Sequence, residues 1–322
     1  MRRLIAIMLA AVLPGLAGTT HAQQPWPAKP VRVVVANSPG AGTDIAARGF
    51  SNALSQRVGQ SVVVENRPGA DGYIAAESVA RSAPDGHSLF FASQSFFGID
   101  PHIKKSMPVD PVRDFTPIAV MLDDTGATGL FAHPAMPFTT IPEMVGYARA
   151  NPGKLSVATV VPLFSMMAAW INKRGGIDIL DIKYKSSAQA TQDAIAGRVS
   201  LLLQSFGTME QHVKSGKVRV LGVSRPIDDY PQFASFASVF PGFKQPSYMV
   251  LVGPAGMDAE LTRRINRAAA NVVEDPKFNQ DLSKLRWRNL KGARTPEGTV
   301  EFLRQARAEW GEFIREIGIQ PQ

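Results

Sequence analysis

The sequence has 322 residues, of which 45% are hydrophobic and 19% are charged, with a formal net charge of +8 and no cysteine. That length is near the size at which one hydrophobic core divides into two, and the composition excludes a disordered or fibrous chain. The lack of cysteine excludes thiol catalysis and cysteine-ligated metals. Basic residues are spread along the chain and not clustered with aromatic residues, so we expect no nucleic-acid partner.

The first 22 residues have the pattern of a cleaved signal peptide. Arg2 and Arg3 form a basic start, and residues 4–13 are an apolar run too short to span a bilayer. Ala22 ends a small-x-Ala cleavage pattern at 20–22. The alternative is a buried N-terminal helix. We predict export to the periplasm, without a lipid anchor on cysteine.

Alternating strand and helix patterns follow from residue 31. We predict strands at 31–36, 62–65 and 87–92 from short β-branched or apolar runs between turn residues. A helix capped by Thr43 or Asp44 and ended by Gly59 follows the first strand, and another helix covers about 74–81. This order predicts a parallel, doubly wound sheet.

A second α/β run begins after about residue 125. Its predicted strands lie at 155–159, 182–185, 199–204 and 218–224, and its predicted helices at 142–150, 164–173 and from Ser186 or Ser187 to Gly197. A turn-rich region at 226–246 precedes a strand near 248–252 and helices near 258–274 and 296–317.

Known catalytic patterns are missing from the sequence. It contains no G-x-S-x-G, no G-x-x-x-x-G-K-[ST] and no H-E-x-x-H, and its five histidines are isolated from one another. The acidic pairs at 123–124 and 228–229 are predicted to be solvated turns. We therefore expect no enzyme activity, no cofactor and no metal site.

The most informative segment is NSPGAGTDI at 37–45, between a predicted strand and a predicted helix. Small residues let the backbone approach a ligand closely, and free N–H groups at a helix start favour an anion. A tight turn with a good helix cap would have the same composition, and both interpretations stay open at this point.

Several motifs occur in one order along nearly the whole chain after residue 26. They include PAKPVRVVV at 27–35, PGAGTDIAAR at 39–48, GQSVVVENRPGA at 59–70, DPVRDFTP at 110–117 and ANPGKL at 150–155. This series resembles the Bug-type solute-binding receptors of tripartite tricarboxylate transporters.

That resemblance implies an α/β, type II periplasmic-binding-protein fold with two doubly wound lobes, a hinge and an interlobe cleft. Lobe 1 would hold residues 24–125 and 226–322, and lobe 2 would hold 126–225. The protein would be a monomer that captures a small organic carboxylate for a membrane permease of the tripartite tricarboxylate type.

The resemblance also implies which residues bind the ligand. Some lie in lobe 1, in the turn at 38–44 that opens the first helix and just after the third strand. Others lie at the ends of three lobe 2 strands, and the last lies on the strand near 248–252. The residues are Ser38, Pro39, Gly40, Ala41, Gly42, Thr43, Asp44, Gln94, Ser95, Thr159, Val160, Tyr184, Lys185, Gln204 and Tyr248.

The second-lobe positions depart from the family pattern. The turn at 156–165 is shorter and more apolar than the family's polar turn, and Ser200 and Gln204 replace commonly acidic residues. Ser186 and Ser187 replace the usual glycines. We therefore expect an apolar or aromatic monocarboxylate, because further charges on the ligand would stay unpaired. The aromatic residues available to line its pocket are Phe96, Phe97, Phe164, Phe206 and Tyr248.

Three other functions stay open. The same lobe closure would serve a receptor that reports to a membrane sensor, and an enzyme could use a binding-protein fold. The altered second lobe also allows a scaffold that no longer binds a ligand tightly.

Overall fold

A computed structural model describes residues 26–123, 126–284, 286–289, 292 and 294–321. The predicted signal peptide lies outside the described residues. Within them, no helix is long and apolar enough to cross a membrane.

The strands form two five-stranded sheets, one in each lobe. The strands are β1 (Val31–Val35), β2 (Val62–Asn66), β3 (Ser88–Ser93), β4 (Phe115–Leu122), β5 (Thr128–Ala132), β6 (Ser156–Thr159), β7 (Leu180–Lys183), β8 (Leu201–Ser205), β9 (Arg219–Val223) and β10 (Met249–Pro254). Sheet 1 has the order β2-β1-β3-β10-β4, and sheet 2 has the order β7-β6-β8-β5-β9.

Both sheets are mixed, which corrects the prediction of a parallel sheet. β1 is parallel to β2 and β3, whereas β10 is antiparallel to β3 and β4. In sheet 2, β6 is parallel to β7 and β8, whereas β5 is antiparallel to β8 and β9. The reason is connectivity: β5 and β10 are each the first strand after the chain has crossed from the other sheet. Each of them therefore starts at the edge of the sheet where the strands beside it end, and it runs antiparallel to those strands.

Eleven helices connect or cover the strands in the described part of the chain. They are α1 (Gly42–Val58), α2 (Tyr73–Ala80), α3 (Asp100–Ile103), α4 (Ile141–Ala150), α5 (Pro162–Gly175), α6 (Ser187–Ile195), α7 (Phe206–Lys214), α8 (Phe236–Val239), α9 (Ala259–Val273), α10 (Pro276–Ser283) and α11 (Pro296–Ile317). Two strands and four helices were not predicted from the sequence: β4, β5, α3, α7, α8 and α10.

The segment after β9 packs on lobe 2, whereas the predicted division assigns the residues from 226 onward to lobe 1. Ile227, Tyr230 and Phe233 pack against the apolar cluster that contains Phe206. Phe236 and Phe243, farther along, join the cluster on the other face of sheet 2. Because the segment is rich in turn residues, its composition does not indicate that its apolar side chains pack in the core of lobe 2.

Helix α11 contacts both lobes. Leu303, near its start, packs in a core cluster of lobe 1, whereas Trp310 and Phe313 pack in the cluster of lobe 2 that contains Trp170. The rings of Phe313 and Trp170 are stacked with their centroids 6.0 Å apart. The lobes are therefore joined by a shared helix as well as by the two chain crossings.

Candidate functional site

The predicted first-lobe turn, residues 38–44, is called the anion turn below. Helix α1 begins there at Gly42 with Ala41 as its N-cap, and no side chain caps it. This corrects the prediction that Thr43 or Asp44 is the cap. The first amides of a helix have no partner within the helix, so those of α1 can bind an external anion.

Asp44 organises the anion turn instead of capping it. Its carboxylate accepts hydrogen bonds from the Gly40 amide at 2.8 Å, Asn66 Nδ2 at 2.8 Å and Arg48 Nε at 3.0 Å. Burial alone would raise the pKa of Asp44, but these hydrogen bonds and the charge of Arg48 outweigh it and lower that pKa. The buried carboxylate is engaged by its own lobe and shapes the turn.

Trp287 lies beside the anion turn and was not predicted from the sequence. A Cβ on Gly42 would lie 2.7 Å from Cη2 of Trp287, and one on Gly126 would lie 3.4 Å from its Cδ1. The indole therefore packs between the start of α1 and the crossing into lobe 2. Its only sequence signal is a large aromatic residue among arginines, in a segment for which the sequence predicts neither helix nor strand.

The end of β3 contributes one accessible and one partly enclosed polar residue. Ser95 is exposed, and the Gln94 amide donates to the Tyr248 carbonyl at 3.2 Å. The side-chain oxygen of Gln94 is buried and has no hydrogen-bond partner among the described residues. Gln94 therefore retains an acceptor at the carboxyl end of a lobe 1 strand.

The Tyr248 side chain lies in the core of lobe 1, not on a cleft wall as predicted. It is fully buried and packs edge-on against Phe302, with ring centroids 5.1 Å apart. It shares one core cluster with Val250 and Val252, as alternation along a strand requires. Burial raises the pKa of the Tyr248 hydroxyl far above its usual value.

The aromatic residues proposed to line the pocket are also in the cores. Phe96 and Phe97 pack in lobe 1, and Phe164 and Phe206 pack in lobe 2, each with less than a tenth of its surface exposed. Hydrophobicity alone could not separate core from cleft positions. An aromatic residue that does contact the anion turn is Trp287, through Gly42.

In lobe 2, Thr159 is held by its neighbours. Its hydroxyl donates to Asp181 Oδ1 at 2.6 Å and lies 3.0 Å from Ser165 Oγ. Its carbonyl accepts from the Tyr184 amide at 2.7 Å. The side chain is buried, so the one hydroxyl expected to bind a ligand is used inside the lobe.

Thr159, Val160 and Tyr184 meet at a cavity of about 360 Å³. Lys104 from lobe 1 also lines this cavity, and its ammonium lies 2.8 Å from Asp71. Tyr184 donates its hydroxyl proton to Asp193 at 2.9 Å, and its pKa is raised by burial and by that carboxylate. The structure thus brings three predicted site residues together beside a lobe 1 cation that the sequence analysis missed.

The last two predicted second-lobe residues differ in burial. Lys185 is exposed and does not line this cavity. Gln204, at the end of β8, is only 5% exposed. Its side-chain oxygen accepts from the Ser205 amide at 2.9 Å, whereas its Nε2 donor has no partner among the described residues. The amide nitrogen of Gln204 therefore keeps two uncharged N–H donors.

A second cavity, of about 500 Å³, lies between the lobes and contains an ion-pair network. Nε and Nη2 of Arg286, in lobe 1, donate to the carboxylate of Glu210 on α7 at 2.9 and 2.8 Å. Nη1 of Arg286 donates to Asp229 at 3.1 Å, and the hydroxyl of Tyr230 donates to Glu210 at 2.8 Å. Hydrogen bonds led by that from Arg286 lower the pKa of Glu210 to about 2.

The acidic pair at 228–229 therefore has a role that the prediction of solvated turns missed. Both carboxylates are well exposed, yet each pairs with an arginine of lobe 1: Asp228 with Arg288 at 2.7 Å and Asp229 with Arg286.

The sequence profile of the family described as "Tripartite tricarboxylate transporter family receptor" matches residues 46–319. The chain belongs to this family. A UPF0065 protein of Bordetella bronchiseptica is 32% identical to this receptor over 317 residues, which cover 98% of this chain and 93% of that protein. Protein BugT of Bordetella pertussis is 26% identical, with 99% and 98% covered.

Solved structures of similar proteins confirm the predicted two-lobe periplasmic-binding-protein fold. R. palustris Rpa4515, solved with adipate, has a TM-score of 0.78 and 25% identity to this receptor, covering 92% of this chain and 100% of that one. The periplasmic binding protein BugD has a TM-score of 0.75 and 26% identity, with the same coverage. The protein is thus a solute-binding receptor of a periplasmic family and not an enzyme, as predicted.

Proposed function

We propose that this receptor captures a small organic carboxylate between its lobes and delivers it to a membrane permease of the tripartite tricarboxylate type. The observation that carries the ligand class is the uncapped start of α1 in the anion turn. Backbone N–H groups and the positive end of the helix dipole favour a carboxylate there. The family description supports the permease as the partner.

The ligand we favour is a monocarboxylate with an apolar or aromatic body. In lobe 2 the Thr159 hydroxyl is engaged by Asp181, and Val160 and Pro162 give the cavity an apolar wall. In lobe 1, outside that cavity, Trp287 adds an aromatic surface next to Gly42 of the anion turn. These surfaces suit a hydrocarbon body, and of the two lysines that line the cavity, Lys104 already pairs with Asp71 and Lys183 is exposed to solvent.

The adipate in the Rpa4515 structure marks the main competing ligand class, since adipate is a dicarboxylate. A second carboxylate would need a donor from lobe 2 here. Gln204 Nε2 has no partner among the described residues but is uncharged, so its hydrogen bond to a carboxylate would lack the attraction between opposite charges that an ammonium or guanidinium donor adds. A dicarboxylate would therefore bind less tightly to this receptor than a matched monocarboxylate.

A thermal-shift screen of the mature protein tests this proposal, after unfolding and refolding to remove carried-over solute. The panel holds aliphatic and aromatic mono-, di- and tricarboxylates and amino acids. A ligand at about 100 times its dissociation constant should stabilise the protein by about 2.7 kcal/mol. A shift confined to apolar or aromatic monocarboxylates is expected. A larger shift with di- or tricarboxylates would contradict the ligand class, and no shift with any carboxylate would contradict carboxylate binding itself.

A matched pair of variants ties a measured shift to the anion turn. Gly42→Ala places a Cβ 2.7 Å from Trp287, whereas Gly146→Ala places one where nothing lies within 4 Å. We expect the first substitution to reduce the carboxylate-induced shift and the second to leave it unchanged. Delivery to the permease is tested separately, by the loss of uptake of the bound acid in cells that lack the receptor.

A further inference from the structure

Arg286 has an unusual backbone conformation. Its φ is +56°, in the left-handed region that disfavours residues with a β carbon. Its guanidinium donates two hydrogen bonds to the Glu210 carboxylate. It also lies over the rings of Phe206 and Tyr230, 5.7 and 5.6 Å from their centroids. All three of these partners are in lobe 2. These contacts stabilise a backbone conformation that is otherwise unfavourable. They join Arg286 of lobe 1 to lobe 2.

The next residue faces the other way. The Trp287 indole packs against Gly42 of the anion turn and joins the lobe 1 core cluster that contains Phe50 and Phe278. The Trp287 amide donates to the Leu282 carbonyl at 3.0 Å, which ties this residue to the end of α10. Two consecutive residues thus link the ion-pair network of lobe 2 to the turn that receives the carboxylate.

We propose that Arg286 and Trp287 act as one coupling element between lobe position and ligand recognition. Trp287 forms the wall of the ligand site that contacts the organic body of the carboxylate. Arg286 is its positioning residue: by holding Glu210 it sets the relative position of the lobes and keeps the indole beside Gly42. The part that concerns ligand recognition rests on the proposed function. The part that concerns lobe position does not.

The first experiment needs no ligand. The natural chain has no cysteine, so Val63→Cys and Leu180→Cys, at exposed positions on β2 and β7, can carry a spin-label pair across the two lobes. Acrylamide quenching of tryptophan fluorescence reports Trp287, because two of the other three tryptophans are fully buried and Trp26 is 8% exposed. A Trp287→Phe variant identifies its contribution to the signal.

Arg286→Gly is the informative variant, because glycine adopts a positive φ readily and the backbone can keep its course. We expect a broader distance distribution between the spin labels and an approximately twofold increase in quenching of Trp287. Arg113→Gly is the control, since Arg113 is exposed and pairs with Asp114 in its own turn. Circular dichroism checks that each variant is folded. An unchanged distance distribution and unchanged quenching in folded Arg286→Gly would overturn the proposal.

The second experiment measures dissociation constants for benzoate, hexanoate and adipate. We expect Trp287→Ala to weaken benzoate binding about tenfold and Arg286→Gly to weaken it about fivefold, because aromatic contacts are lost or loosened. Benzoate binding by the natural protein that neither substitution weakens would overturn the recognition part. If the natural protein binds none of the three acids, the proposed carboxylate function fails, and the ligand-free measurements alone decide the coupling.

Discussion

Replacing Glu210 by glutamine should cost a large part of the stability that the interlobe network provides. Arg286 and further hydrogen bonds lower the pKa of Glu210 from 4.5 to about 2, and its side chain is only 16% exposed. That difference corresponds to about 3 kcal/mol of unfolding free energy at neutral pH. Glutamine keeps one acceptor oxygen, so we expect Glu210→Gln to lose about 2–3 kcal/mol.

The loss of stability in Glu210→Gln should become smaller as the pH falls. Because the pKa of Glu210 is lower in the folded state, its contribution is fully present above about pH 4.5 and declines as the pH falls toward 2. In urea unfolding, the difference in unfolding free energy between the natural protein and the variant should therefore fall to about 1.5 kcal/mol at pH 3. Glu260→Gln is the control: Glu260 pairs with Arg263 and Arg267 but is 55% exposed, so solvent screens these pairs and its loss should change the unfolding free energy little. A cost for Glu210→Gln as small as that of the control, or one that does not change between pH 7 and pH 3, would refute the reasoning.

Three further substitutions test other parts of the structure. Asp44→Ala leaves the donors of the anion turn without their acceptor, so thermal unfolding should show a loss of about 2–3 kcal/mol together with a smaller carboxylate-induced shift; a loss below about 0.5 kcal/mol would contradict the structural role of this carboxylate. Gly98→Ala places a Cβ 2.7 Å from Trp310 and should cost about 1–3 kcal/mol in urea unfolding. Its counterpart Gly146→Ala, in an open helical position, should gain about 0.5–1 kcal/mol, and equal effects of the two would argue against the tight packing at 98. Burial raises the pKa of Asp100 to about 6, so the natural protein loses stability as the pH rises through 4 to 6. Asp100→Asn should then be more stable by about 1–3 kcal/mol at pH 7.5 and equal to the natural protein at pH 4, and a gain that persists at pH 4 would point to another cause.

The local elements near the anion turn could be predicted from the sequence. Strand β1, the turn at 38–44 and the body of α1 depend on β-branched residues, small turn residues and apolar spacing, all of which act over a few positions. The resemblance over the chain added the two-lobe fold, which the solved structures confirm. The predicted N-cap of α1 is wrong, because a polar residue at a helix start can also accept hydrogen bonds from its own loop, as Asp44 does.

The orientation of side chains was decided by the tertiary structure alone. Periodicity separates one face of a strand from the other, but it does not say which face meets the cleft, so Tyr248 was assigned to a wall and lies in the core. Whether the Thr159 hydroxyl is free depends on Asp181, which belongs to a neighbouring strand.

The contacts that join distant parts of the chain around the anion turn have no signal in the sequence. Arg286 meets Glu210 across 76 positions, and Trp287 reaches Gly42 from a segment that follows α10. Local preferences act within a turn of helix or a strand pair, whereas these contacts exist only because the two sheets and their helices pack in one relative position. The sequence by itself therefore determined most of the elements, the family and the anion turn, and only the packing of the lobes decided which side chains surround that turn.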